Sequence, residues 1–247
     1  MASHENHIAE ALLANRDSDL TFWDWVLPGQ PLSRKNANKF LLACILDYQV
    51  RAETAWANAK RLAEQIFADP DDLWGTLTSV SLEEWNSKRQ EYSLHRFPKG
   101  HERVFTIGKR IARQYASDAR DIWKDQSIDA TLYRLNDLGV GEQISRMVVG
   151  ALIDAGILRG KGDVKADIHV RRVLGRLLTG TEISADRAQE AVDATRRMHP
   201  ENPWLLDRPL YRLGKSVCKA NHPRCLDCVM HTICVYPRMS HEGFHNE

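Results

Sequence analysis

The chain has 247 residues, with 34 Lys and Arg against 33 Asp and Glu for a net charge of +1, 43% hydrophobic residues and five cysteines. That length and balance allow one large or two modest compact units and exclude a collagen-like chain, a disordered tail and a small disulfide-stapled scaffold. No apolar run approaches the roughly 18 to 20 residues needed to span a bilayer, and the opening Met1-Ala2-Ser3-His4-Glu5 lacks a basic flank feeding an apolar stretch, so a cytoplasmic protein is expected.

Helical periodicity governs the chain in sequence order. After the breaker Pro28-Gly29-Gln30-Pro31, the residues Phe40, Leu41, Cys44, Ile45 and Tyr48 recur at spacings of three and four, and Leu62, Ile66 and Phe67 repeat the pattern before Pro70-Asp71-Asp72. Cys44 lies on the apolar face of its helix and reads as a small core residue. From residue 64 to 91, Glu64, Asp69, Asp71, Asp72, Glu83, Glu84 and Glu91 outnumber Lys88 and Arg89. Residues 95–115 reverse the sign: Arg96, Lys99, Arg103, Lys109, Arg110 and Arg113 stand against Glu102, with His95 and His101 beside them and Val104, Ile107, Ile111 and Tyr115 as the apolar face. A near-neutral total therefore hides two faces of opposite sign; the basic one suits a phosphate backbone or is a solvated helix surface. Period-two runs of Val, Ile and Thr are scarce, so an all-α fold is expected.

Further along, Leu132 to Asn136 leads into Asp137-Leu138-Gly139-Val140-Gly141 and then Glu142 to Leu152, which reads as helix, tight glycine turn, helix. Such a turn is either a plain helix connection or a site where main-chain N–H groups and a helix N-terminus face a phosphate. After the glycine-rich stretch from Gly156 to Gly162, Asp167 opens the apolar-periodic segment Ile168-His169-Val170-Arg171-Arg172-Val173, the usual place of a helix N-cap. Near the end, Cys218, Cys225, Cys228 and Cys234 crowd together with six, two and five residues between them. Clustered thiols in a reducing compartment point to metal rather than disulfides. Only Cys225 and Cys228 form a short knuckle, and four soft ligands favour a cubane iron-sulfur cluster, although His222 or His231 could join a mixed zinc site.

The order Cys-x6-Cys-x2-Cys-x5-Cys resembles the C-terminal iron-sulfur loop of the endonuclease III family of DNA glycosylases, in the helix-hairpin-helix superfamily. The lead-in Leu213-Gly214-Lys215-Ser216-Val217-Cys218 and the basic loop His222-Pro223-Arg224-Cys225 are similar too. Ala166-Asp167-Ile168-His169 resembles the family's Val-Asp-Thr-His motif, and Ile45-Leu46-Asp47-Tyr48-Gln49 resembles a segment whose Gln fills the gap left by an extruded base.

The resemblance implies a [4Fe-4S] cluster on Cys218, Cys225, Cys228 and Cys234, with Asp167 as the catalytic carboxylate. It further implies DNA contacts from Gly139, Val140 and Gly141 of the hairpin, from the wedge Gln49, and from Lys219 and Arg224 of the cysteine loop. The implied partner is double-stranded DNA carrying a damaged, mismatched or modified base, met by a monomer associated with the nucleoid. Two helical lobes are expected: residues 36–155 as a helical barrel ending in the hairpin, and residues 1–35 with 156–247 as the cluster lobe, DNA crossing between them at Asp167.

Two departures stand out. Where the family's bifunctional members carry an amine nucleophile two residues after the second hairpin Gly, this chain has Gln143, which cannot form an imine. A monofunctional glycosylase is implied, with Gln143 beside Asp167 in the catalytic pair. Lys161 or Lys165 as a relocated amine gives a bifunctional alternative, and a non-catalytic DNA-binding module is a third. The family's Pro before the first hairpin Gly is here Leu138.

Overall fold

The computed structural model describes residues 4–16, 23–67, 69 and 72–236. Pro70, Asp71 and the histidine-bearing tail from Met239 lie outside them. The helices, in chain order, are α1 (His4–Ala14), α2 (Arg34–Leu46), α3 (Ala52–Arg61), α4 (Leu82–Ser87), α5 (Arg89–Tyr92), α6 (Pro98–Gln114), α7 (Arg120–Trp123), α8 (Ile128–Asp137), α9 (Glu142–Asp154), α10 (Ile168–Thr179), α11 (Ala188–Met198) and α12 (Asp207–Ser216). Among the described residues there is no strand, and the protein is all-α. No described helix is long and apolar enough to cross a membrane. The chain divides into two compact units, residues 20–159 and residues 1–19 with 160–247.

In the unit of residues 20–159, α2 is the central helix: Phe40 to Leu46 is a continuous apolar run, and each residue from Ala37 to Leu46 is buried. Ser33 starts it by accepting a hydrogen bond from Asn36 N at 3.2 Å. A polar residue in this interior must have its donors and acceptors satisfied. Asn38 does: its Oδ1 accepts from Trp74 Nε1 at 3.0 Å and Ala119 N at 2.9 Å, and its Nδ2 donates to Ser117 O at 2.9 Å. Cys44 is fully buried, as expected of a core residue. Helix α9 is equally enclosed from Ile144 to Leu152. Val104, Ile107 and Ile111 form the buried stripe of α6. The expected periodicity through Phe67 ends differently, in a widened π turn over Leu62–Ile66.

Residues 20–35 belong to this unit rather than to the expected lobe with residues 156–247. Trp23 is buried edge-on against Phe40 at 6.2 Å and donates to Asp154 Oδ2 at 3.4 Å, while Arg120 holds Leu32 O at 3.4 Å. Burial of a large aromatic side chain, Trp23, ties this stretch to α2.

The other unit packs α1, α10, α11 and α12 around Ile8, Leu12, Val170, Leu174, Val192 and Leu210. Residues Val170, Val173, Leu174 and Leu177 follow helical spacing, so α10 buries a full stripe. Gly180, at φ 76°, ends it in the left-handed conformation open to glycine. α10 lies against α12 at unusually close range because Gly214 has no side chain: a Cβ there would stand 2.7 Å from His169 Cβ. Gly214→Ala is expected to lower stability, since overpacking of about 1–3 kcal/mol exceeds the roughly 0.5–1 kcal/mol an alanine gains inside a helix. Thermal melting checks this, and an unchanged or raised midpoint would contradict the close approach.

Candidate functional site

Asp167 is placed by an extended segment rather than by a helix. Gly162 N donates to Asn202 Oδ1 at 3.2 Å, Trp204 N to Gly162 O at 2.7 Å, and Lys165 N to Asp207 Oδ1 at 2.6 Å, which fasten residues 162–165 beside the short helix Pro203–Leu206 and the start of α12. Asp167 itself is extended, and its Oδ1 accepts from His169 N at 2.8 Å and Val170 N at 3.0 Å. It is thus the N-cap of α10, the role its position suggested. Its second oxygen, Oδ2, receives no hydrogen bond from the described residues. One carboxylate oxygen is consumed by the fold and the other is not. Ile168, next in sequence, is a large apolar side chain 58% exposed, a feature the sequence did not single out.

The first turn of α10 is wired to the first cysteine. Arg172, 4% exposed, donates through Nε to Cys218 O at 2.7 Å and through Nη2 to Gly214 O at 2.7 Å, and Nη2 also stands 3.1 Å from His169 Nδ1. A buried guanidinium needs this many acceptors to offset its desolvation.

Cys218, Cys225, Cys228 and Cys234 line one cavity together with Arg176, His231 and Tyr236. Among the described residues no three His, Cys, Asp or Glu side chains converge as they would around a single ion. Four thiols sharing a wall instead suit a group with four attachment points, because each thiolate of a cubane cluster binds its own iron. Two buried nitrogens on that wall, Arg176 Nε and His231 Nδ1, have no protein partner, as expected where a sulfur-rich group would accept from them. Arg176 also stands 3.6 Å from Cys218 Sγ through Nη1 and lies over the Tyr236 ring at 4.4 Å. Burial pushes the Cys225 and Cys228 thiols up and takes Cys234 up to about 11, a cost that a bound metal centre would offset by coordinating the thiolates. His222 is exposed on the intervening loop and is not part of the wall.

The hairpin behaves differently from the expectation that all three of its central residues offer main-chain donors. Gly139 N donates to Asn136 O at 2.9 Å and Val140 N to Leu135 O at 3.0 Å, so both amides are spent closing α8. Val140 is fully buried. The outward donors are instead the amides of Gly141, Glu142 and Gln143, at the start of α9, where a helix leaves N–H groups without intrahelical acceptors. Gly139 and Gly141, at φ 91° and 85°, make a turn that a side chain would strain. Leu138, in place of the family's Pro, donates its N–H to Arg134 O at 3.0 Å, a bond proline cannot make. Gln143 is half-buried, and its Oε1 is enclosed without a partner.

The basic stretch divides in two. Arg110 binds Asp137 through its carbonyl and, at 2.7 Å, its Oδ2; Arg103 donates to Val140 O at 2.8 Å; Lys109 reaches Val80 O at 3.2 Å. These side chains brace the hairpin and its neighbours from α6. Arg96, Lys99 and Arg113 stay exposed. Gln49, also exposed, sits on the bend after α2 at φ 55°. Lys219 and Arg224 are exposed on the cysteine loop, Arg224 donating to Ser216 O at 3.1 Å. Of the seven tryptophans, Trp25 and Trp56 are half-buried and line a cavity of about 350 Å³ in the unit of residues 20–159, with Asp24, Glu53 and Lys60 at its rim.

No family model matches the chain. The endonuclease III of Thermotoga maritima is 22% identical over 216 residues, covering 86% of this chain and 90% of that protein. A trapped endonuclease III–DNA covalent intermediate, an estranged-adenine complex, superposes with a TM-score of 0.66 at 18% identity, covering 98% of this chain and 100% of that one. A non-covalent endonuclease III–DNA complex gives 0.65 at 17%, with the same coverage. The chain is endonuclease III-like.

Its fold is that of the endonuclease III structures. In this endonuclease III-like chain, Lys161, one of the two alternative amines, is engaged at the surface with Glu201 at 3.6 Å. Asp167 caps α10 through Oδ1 alone, and substitution tests how much that cap contributes. Asp167→Ala is expected to cost about 1 kcal/mol through loss of the cap, lowering the melting temperature by roughly 2–4 °C. Asp167→Asn keeps a capping oxygen and should melt within about 1 °C of the parent on the same scale.

Proposed function

We propose that this protein is a monofunctional DNA glycosylase that extrudes a damaged, mismatched or modified base and hydrolyses its N-glycosidic bond. The observation that carries the reading is the carboxylate of Asp167, fixed through one oxygen by the N-terminus of α10 with the other oxygen open. A base stacked in duplex is out of reach, so the nucleotide must swing out at a cost of a few kcal/mol. As the C1′–N bond breaks, its electron pair leaves with the base and positive charge builds on the sugar. Asp167 Oδ2 stabilises that charge and takes the proton of the water whose oxygen joins C1′. No part of Asp167 need move, because its backbone and Oδ1 are already held.

A backbone phosphate of the DNA is bound by the amides of Gly141, Glu142 and Gln143 at the start of α9, a contact that grips without reading sequence. Gln49 fills the space the nucleotide leaves. Trp25 and Trp56 offer flat apolar surface of the kind on which a free base stacks. Gln143, lacking an amine, forms no imine with the sugar. Cys218, Cys225, Cys228 and Cys234 would hold a [4Fe-4S] cluster, which when bound cross-links the loop that presents Lys219 and Arg224 to phosphates. The protein acts as a monomer on chromosomal DNA inside the cell.

A base-release panel on chemically defined duplexes tests the reading. Asp167→Asn should cut excision by at least about 100-fold while binding of the same duplex is retained; full activity in that variant would discard the mechanism. Borohydride should trap no covalent adduct, and an adduct would reassign the nucleophile to an amine such as Lys165. Cys225→Ser is expected to lose the cluster's visible absorption and iron content together with thermal stability.

A further inference from the structure

Arg103 touches both of the turns that the functional reading assigns to DNA. Its Nη2 donates to Val140 O at 2.8 Å inside the hairpin, and its guanidinium lies over the Tyr48 ring at 5.1 Å, one residue before Gln49. Tyr48 is held from elsewhere as well. Its ring stacks on His95 at 6.1 Å and 30°, and His95 Nε2–H donates to Tyr48 O at 2.7 Å. Phe97 N donates to His95 Nδ1 at 3.1 Å, which fixes that ring's orientation. The arrangement needs a glycine at position 100, where a Cβ would stand 2.1 Å from His95 Nδ1.

Gln49 is left-handed at φ 55°, a conformation that costs a residue with a side chain about 1–2 kcal/mol and persists only where the surroundings impose it. The surroundings here are Tyr48, His95 and Arg103. Arg103 is half-buried, and its Nε is enclosed without a partner. Leaving a buried donor unsatisfied is costly, and the bond of Nη2 to Val140 O and the stacking on Tyr48 offset that cost.

We propose that Arg103 is a positioning residue that locks the Gln49 turn to the hairpin, making insertion of Gln49 into the duplex and seating of a phosphate on the α9 amides a single coupled event. The proposal rests on the glycosylase reading, which assigns both turns to DNA. Neither turn can then shift along the duplex without the other. A generic surface arginine would add only uniform electrostatic affinity.

The test compares the parent with Arg103→Met and Arg103→Lys on two substrates: the excised base in a full pair, and the same base left unpaired opposite an abasic site. Insertion of Gln49 matters only for the first. Arg103→Met should lose at least about tenfold in kcat on the paired substrate and little on the unpaired one, with Arg103→Lys recovering part of the loss. Equal losses on both substrates, or none, would overturn the proposal. In a second arm, 2-aminopurine opposite a tetrahydrofuran site reports insertion by its fluorescence on binding, with no excision required. A rise with the parent that Arg103→Met lacks supports the proposal, and a rise that Arg103→Met shares overturns it. Failure of the parent to release any base overturns the glycosylase reading and leaves the fluorescence arm to decide this one; no rise with the parent overturns this proposal alone. If Arg103→Met fails to melt cooperatively, Tyr48→Leu, which spares the bond to Val140, replaces it.

Discussion

Helix α10 begins on a carboxylate whose two oxygens have different fates, and the candidate chemistry depends on that division. Oδ1 of Asp167 closes two of the orphan amides that every helix start leaves open. The same bonds remove the side chain's freedom, so Oδ2 is held in a fixed direction. A carboxylate on a free loop would have to be ordered first.

That helix start is in turn held by packing and by charge. The missing side chain of Gly214 lets α12 come against His169, and Arg172 fills the seam, binding the carbonyls of Gly214 and Cys218. Any change in the cysteine loop therefore reaches the first turn of α10 through a single buried guanidinium. This gives the four cysteines a mechanical reason to lie where they do, separate from any electron chemistry of the cluster they would hold.

In the other unit the basic side chains of α6 divide the same way between structure and surface. Arg103 and Arg110 spend their donors on the hairpin, while Arg96, Lys99 and Arg113 keep theirs for solvent or a polyanion. A charge run thus overstates the number of phosphate contacts a protein can make. What the run supplies instead is rigidity: the turn between α8 and α9 is fastened at Asp137 and Val140 by side chains of α6.

The sequence by itself determined the all-α class, the cysteine spacing, the N-cap at Asp167 and the hairpin, because each is written in residues a few positions apart: helical period, ligand intervals, an acidic residue before an apolar run, glycines flanking Val140. It also placed Gln143 where an amine would otherwise stand. Only the tertiary structure decided which donors remain free, since a hydrogen bond from Gly139 or Val140 to α8 is invisible until the turn closes. It likewise moved residues 20–35 into the unit of α2, through Trp23 on Phe40, and showed that Trp25 and Trp56 border a cavity while the other five tryptophans are buried. Those outcomes turn on contacts between segments distant in the chain, where burial and geometry, not local propensity, select the partner.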